Sequence, residues 1–96
     1  MNRKEIIARL ARERAALARL GVASLRLFGS AARDEARSRS DADFIVRFQQ
    51  TPTFDAYMDL KLHLEEILGI RVDLVTEAAI RPELRKTIER DAIRVA

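Results

Sequence analysis

Asp41 and Asp43 stand one residue apart, where a polar stretch gives way to the apolar run Phe44-Ile45-Val46. In a strand, residues i and i+2 project from one face with α-carbons about 6.6 Å apart. Two carboxylates so placed repel by roughly 2.5 kcal/mol at an effective dielectric near 20, before solvent screening. A third acid, Asp73, interrupts the run Ile70-Arg71-Val72-Asp73-Leu74-Val75. If these two segments are neighbouring strands, three carboxylates converge. Oxygen donors with no His or Cys beside them favour Mg²⁺ or Mn²⁺, completed by waters and substrate phosphates. Two such ions, held by shared carboxylates, activate an attacking oxygen and stabilise a leaving one in phosphoryl or nucleotidyl transfer. Capping of the loop after Ser40 explains Asp41 taken singly, but not Asp43 and Asp73.

Gly29-Ser30 is the second feature with chemical potential. It follows an apolar strand pattern and precedes a helix start, and such a turn points free backbone N–H groups outward, toward an anion such as phosphate. Ser30 is placed to add its hydroxyl. A tight turn followed by a helix N-cap explains the pair equally well by itself. Asp41 comes twelve residues after Gly29. A short helix between them brings turn and acids to one end of a sheet, where a nucleoside triphosphate and its metals would meet.

The elements that must position these residues follow from periodicity. Residues 3–20 form a helix capped by Asn2, with Ile6, Leu10, Leu17 and Leu20 near one face and Gly21 ending it. Val22–Phe28 is a first strand. Ser30–Ala36 is a short helix and Arg37–Ser40 a polar loop. The second strand runs from Asp41 or Ala42 to Phe48. Thr51-Pro52-Thr53 opens a helix reaching Leu68, stopped by Gly69. Ile70–Thr76 is the third strand, Pro82 starts a helix to about Asp91, and Ile93–Val95 adds a short strand. The order αβαβαβα(β) means α/β or α+β, a small sheet covered by helices on at least one face. For the chain as a whole the expectation is an α+β fold, α/β-like in its order, with a small mixed sheet flanked by helices.

Ninety-six residues, 48% of them hydrophobic and 34% charged, describe one small globular domain spanning 1–96 rather than a disordered chain. No apolar run reaches membrane-spanning length, and the segment after Met1 is amphipathic, so a cytoplasmic protein is expected. Without cysteine there is neither a disulfide framework nor a thiolate metal site. The net charge of +3 is uneven. A basic N-terminal half can attract a phosphate-bearing ligand or an acidic partner, or simply be the solvated face of an Arg-rich helix. Direct nucleic-acid binding is disfavoured, because the basic residues are scattered and the few aromatics belong to core patterns. His63 shares a helix face with Asp59 and Glu66, which reads as a solvated polar face. Tyr57 falls on the apolar stripe.

The composite "LFGSAAR…SDADFIV…VDLVT" resembles the smallest members of the DNA polymerase β-like nucleotidyltransferase superfamily, the minimal nucleotidyltransferase (MNT-type) proteins. The resemblance spans nearly the whole chain. It implies that Gly29 and Ser30 hold the triphosphate of ATP and that Asp41 and Asp43 bind two Mg²⁺ ions. Asp73 would ligate the catalytic metal and help activate the acceptor hydroxyl. Arg33 would face phosphate, or else pair with a neighbouring acid. Asp34 departs from the pattern, standing where many relatives carry glycine. MNT proteins are often antitoxins encoded beside a helical HEPN-domain RNase toxin, and some transfer AMP to a tyrosine of that partner. The expectation is therefore an Mg²⁺-dependent adenylyltransferase acting on a HEPN-type toxin, with homo- or hetero-oligomers within reach. Two alternatives stand beside it: a non-catalytic antitoxin that neutralises by contact, and an enzyme modifying a small hydroxylated molecule.

Overall fold

Apolar alternation in three short runs decides how this chain folds. The computed structural model describes residues 2–29 and 42–96. Its elements are α1 (Arg3–Ala11), α2 (Arg14–Arg19), β1 (Val22–Phe28), β2 (Ala42–Phe48), α3 (Phe54–Leu68), β3 (Val72–Thr76), a 3-10 turn (Glu77–Ala79), α4 (Pro82–Asp91) and β4 (Ile93–Arg94). The sheet order is β3-β2-β1-β4. β1 is antiparallel to both β2 and β4, whereas β2 and β3 are parallel, joined by α3 as a βαβ unit. The sheet is mixed, with helices packed against it.

One sheet face carries Leu25, Leu27, Ala42, Phe44, Val46, Val72 and Leu74, all buried. Ile6 and Leu10 of α1, Leu17 of α2, and Leu60, Leu64 and Leu68 of α3 close over it in a single apolar cluster. Full burial of side chains of this size contributes about 1.5–3 kcal/mol each, which makes this layer the main source of stability. The other face alternates with it and carries Arg26, Phe28, Asp43, Ile45, Asp73 and Val75. Among the described residues, cover lies over its middle. Ile45 is buried, and a small cleft lined by Arg26, Glu77, Ile80, Arg85, Ile88 and Glu89 shows the 3-10 turn and α4 lying over it. An ion pair of 3.5 Å joins Arg26 to Glu77 across that cover.

Local chemistry sets most boundaries. Asn2 Oδ1 accepts the Glu5 N–H at 2.9 Å and Thr53 Oγ1 accepts the Ala56 N–H at 3.0 Å, so both caps sit where the sequence predicts helix starts. Gly69 ends α3 in the left-handed region at φ 68°.

Three expectations need correction. The predicted 3–20 helix is two helices, broken at Arg12-Glu13, because α1 packs against α3 while α2 packs against β1. The third strand starts at Val72, since Ile70 and Arg71 are spent on the exit from Gly69. The last strand is Ile93–Arg94, one residue shorter than expected. The 3-10 turn after Thr76 carries no apolar period that would announce it. The predicted Ser30–Ala36 helix and the loop after it lie outside the described residues.

Candidate functional site

Strand direction brings the chemistry together. Because β1 runs against β2 and β2 runs with β3, the end of β1 meets the beginnings of β2 and β3. Phe28 pairs with Asp43, and Asp43 pairs in register with Asp73. Register partners on adjacent strands stand about 4.8 Å apart and share a face. The two aspartates therefore form a same-face pair at one end of the sheet, on the side away from the main apolar layer. Asp43 is half-buried and Asp73 exposed. A hydrogen bond of 3.1 Å from the Ala42 N–H to the Arg71 carbonyl closes the ladder just before them.

Gly29 completes this end. Its φ is +75°, a backbone conformation that other residues adopt only with strain. It also lies against the Asp43 carboxylate: a β-carbon added at Gly29 would come within 2.5 Å of Asp43 Oδ2 and 3.3 Å of its Cγ. The turn after β1 and the first acid of β2 thus occupy one small volume. Only a residue without a side chain lets backbone and carboxylate approach so closely.

Like-charged oxygen donors fixed at neighbouring strand positions cannot separate without breaking the ladder. Such a donor set fits a hard divalent cation, which would offset the repulsion, and offers nothing to a thiophilic one. Among the described residues no group of three His, Cys, Asp or Glu side chains is assembled for a metal. Asp43 and Asp73 are two of the three predicted acids. The third, Asp41, lies outside the described residues, as do Ser30, Arg33 and Asp34.

Two residues of α3 hold the start of β3. Glu65 Oε2 accepts the Val72 N–H at 3.0 Å and a hydrogen bond from Lys61 Nζ at 3.3 Å. The Tyr57 hydroxyl donates to the Leu74 carbonyl. The Val72 amide, assisted by Lys61 and by the field of Arg71, holds the Glu65 carboxyl below its ordinary value of 4.5, against a weaker upward push from desolvation. Neither residue was singled out by the sequence as part of this site. Tyr57 reads as core, and its ring does pack against the apolar cluster. Glu65 stands one helical turn from Lys61, with which it forms an i, i+4 pair. Their partners are backbone atoms, which leave no side-chain signature.

His63 is not on a purely solvated face. Its Nε2 lies 3.2 Å from Glu13 Oε1, tying α3 to the break between α1 and α2.

Residues 7–95 match the family model described as the nucleotidyltransferase domain. The chain belongs to that family. Among relatives, it is 38% identical to the protein adenylyltransferase MntA of Thermococcus cleftensis over 77 residues, covering 80% of this chain and 78% of that one. A solved structure described as a candidate minimal nucleotidyltransferase superposes with a TM-score of 0.85 at 42% identity, covering 97% of this chain and 95% of its own. The fold, and the fold alone, is shared with a structure of a tri-AMPylated Shewanella oneidensis HEPN toxin in complex with an MNT antitoxin, at a TM-score of 0.60 and 19% identity, covering 91% of this chain and 71% of that one. The small mixed sheet is that of the minimal nucleotidyltransferases. As a nucleotidyltransferase, this chain is an enzyme whose class of chemistry is nucleotidyl transfer. No helix among its described residues is long and apolar enough to cross a membrane.

Proposed function

We propose that this nucleotidyltransferase transfers AMP from ATP to a tyrosine hydroxyl of a HEPN-type toxin, and so serves as the antitoxin of a toxin–antitoxin pair in the cytoplasm. The observation that carries this reading is the register pairing of Asp43 with Asp73, with Gly29 packed against Asp43. It sets a close backbone turn beside two hard oxygen donors, the combination needed to handle a triphosphate.

In this reading, residues 1–96 act as one catalytic unit, and the partner supplies the acceptor. Gly29 and Ser30 hold the triphosphate, and Arg33 faces phosphate from the following segment. Asp41, Asp43 and Asp73 hold two Mg²⁺ ions, for which Mn²⁺ substitutes. When bound, the ions would supply charge neutralisation at the phosphates and lower the cost of deprotonating the acceptor phenol. Asp73, on the exposed side, orients the incoming hydroxyl and helps draw its proton. The acceptor oxygen bonds to the α-phosphorus, the bond to the bridging oxygen breaks, and pyrophosphate leaves. The relative from Thermococcus cleftensis, a protein adenylyltransferase by name, supports the donor and the acceptor class. The distant complex with a HEPN toxin supports the choice of partner.

The test is label transfer from ATP labelled on its α-phosphate, with Mg²⁺, to the protein that co-purifies with this chain. Asp43→Asn runs in parallel. Label on the partner with wild type alone is expected. A tight complex formed equally by both versions, with no label in either, overturns the reading in favour of neutralisation by contact.

A further inference from the structure

β3 is an edge strand, and its outward side is occupied by α3 side chains. Along a parallel pair, alternate residues direct both backbone groups to the neighbouring strand. The hydrogen bond from Ala42 to the Arg71 carbonyl, together with the register Ala42–Val72, makes Asp73 and Val75 the residues bonded to β2. Val72 and Leu74 then face outward, where they would lie open to water or to a foreign strand. Instead the Val72 N–H meets Glu65 Oε2, and the Leu74 carbonyl meets the Tyr57 hydroxyl. Asp73 lies between these two anchored residues. Its backbone is held by β2 on one side, and its two chain neighbours are held by α3 on the other.

We propose that Glu65 and Tyr57 are positioning residues for Asp73, fixing the height and direction at which its carboxylate meets a divalent cation. The proposal rests on the metal role given to Asp73 above. Neither side chain touches the cation; each acts through one peptide of β3. Lys61 holds Glu65 in place from the preceding turn of α3. The same two hydrogen bonds take up two of the backbone groups that this edge turns outward.

The experiment is a Mn²⁺ titration of the full chain followed by electron paramagnetic resonance, in the absence of ATP, so that no turnover is needed. Glu65→Ala removes the acceptor from Val72, whereas Glu65→Gln keeps an oxygen there. Tyr57→Phe keeps the packed ring and removes only the hydroxyl. Expected is Mn²⁺ affinity weakened about tenfold in Glu65→Ala, the usual scale for loss of an outer-shell partner, weakened less in Tyr57→Phe, and largely restored in Glu65→Gln. Thermal unfolding of each variant gives the folded fraction used to correct the affinities. Unchanged affinity in Glu65→Ala and Tyr57→Phe, with wild type binding Mn²⁺, overturns this inference and leaves the proposed activity standing. Equal loss in Glu65→Ala and Glu65→Gln overturns the hydrogen-bond route. No Mn²⁺ binding by wild type overturns both the inference and the metal role it rests on.

Discussion

At the scale of single residues, Gly29 is the most constrained position described at this site. Two independent demands meet there: a positive φ, and a carboxylate lying where a β-carbon would be. Gly29→Ala is expected to cost about 1–2 kcal/mol for the left-handed backbone. The Asp43 side chain must also swing away, since it is the mobile party to the clash. Displacement of a group at the reacting centre by an ångström costs on the order of a hundredfold in rate. Transfer should therefore fall far more than stability does. Urea unfolding and initial-rate measurements on the same preparation check this. Loss of activity only in proportion to the unfolded fraction would count against a role for the Gly29–Asp43 contact.

At the scale of elements, α3 does two jobs. Leu60, Leu64 and Leu68 close the core, while Tyr57, whose ring packs on that same core, and Glu65 secure β3. The second job carries a pH signature. The folded protein holds the Glu65 carboxyl below its ordinary value of 4.5, chiefly through the Val72 amide. A carboxyl lowered on folding contributes stability above its unfolded value, and that contribution is lost as pH falls through the folded value. Glu65→Gln, which cannot titrate, should be less stable than wild type at pH 7, with the difference shrinking once pH drops below 4.5. Denaturation midpoints from neutral to strongly acidic pH test the sign. By contrast, α4 contributes no buried residue, and with the 3-10 turn it lines a small cleft beside Arg26.

At the scale of the whole molecule, the sheet separates stability from chemistry by its two faces. Phe44 and Asp43 are consecutive in β2, yet one is buried in the helical layer and the other stands beside Asp73. Phe44→Ala should destabilise by about 3–5 kcal/mol, a large part of the total stability of a chain this size. Leu62→Ala, at an α3 position 55% exposed, should stay within about 0.5 kcal/mol of wild type. Chemical denaturation of both variants makes the comparison. Equal losses would mean that the main apolar layer does not carry the fold.

Much of this was legible in the chain itself, for stated reasons. Period-2 alternation marked β1 to the residue and β2 to within one residue at its start, and cap chemistry at Asn2, Thr53 and Gly69 marked the start of α1 and both ends of α3, because both signals are local. The acids were legible too: carboxylates at strand starts gain nothing from burial, so Asp43 and Asp73 stood out from their apolar neighbours. What no local pattern contains is which strand lies beside which, and in what register. A shift of one residue would have turned Asp73 to the opposite face from Asp43. The break at Arg12-Glu13 was hidden because residues 3–20 are helix-forming throughout, and only the diverging directions of α3 and β1 divide them. Glu65 and Tyr57 were hidden for a related reason, since their partners are peptide groups brought near by the βαβ crossover. The amino-acid sequence alone determined which residues could do chemistry and which elements would carry them. Tertiary structure decided that Gly29, Asp43 and Asp73 meet at one end of the sheet, because side-chain convergence depends on strand order and register, and these are settled by burying one whole face at once.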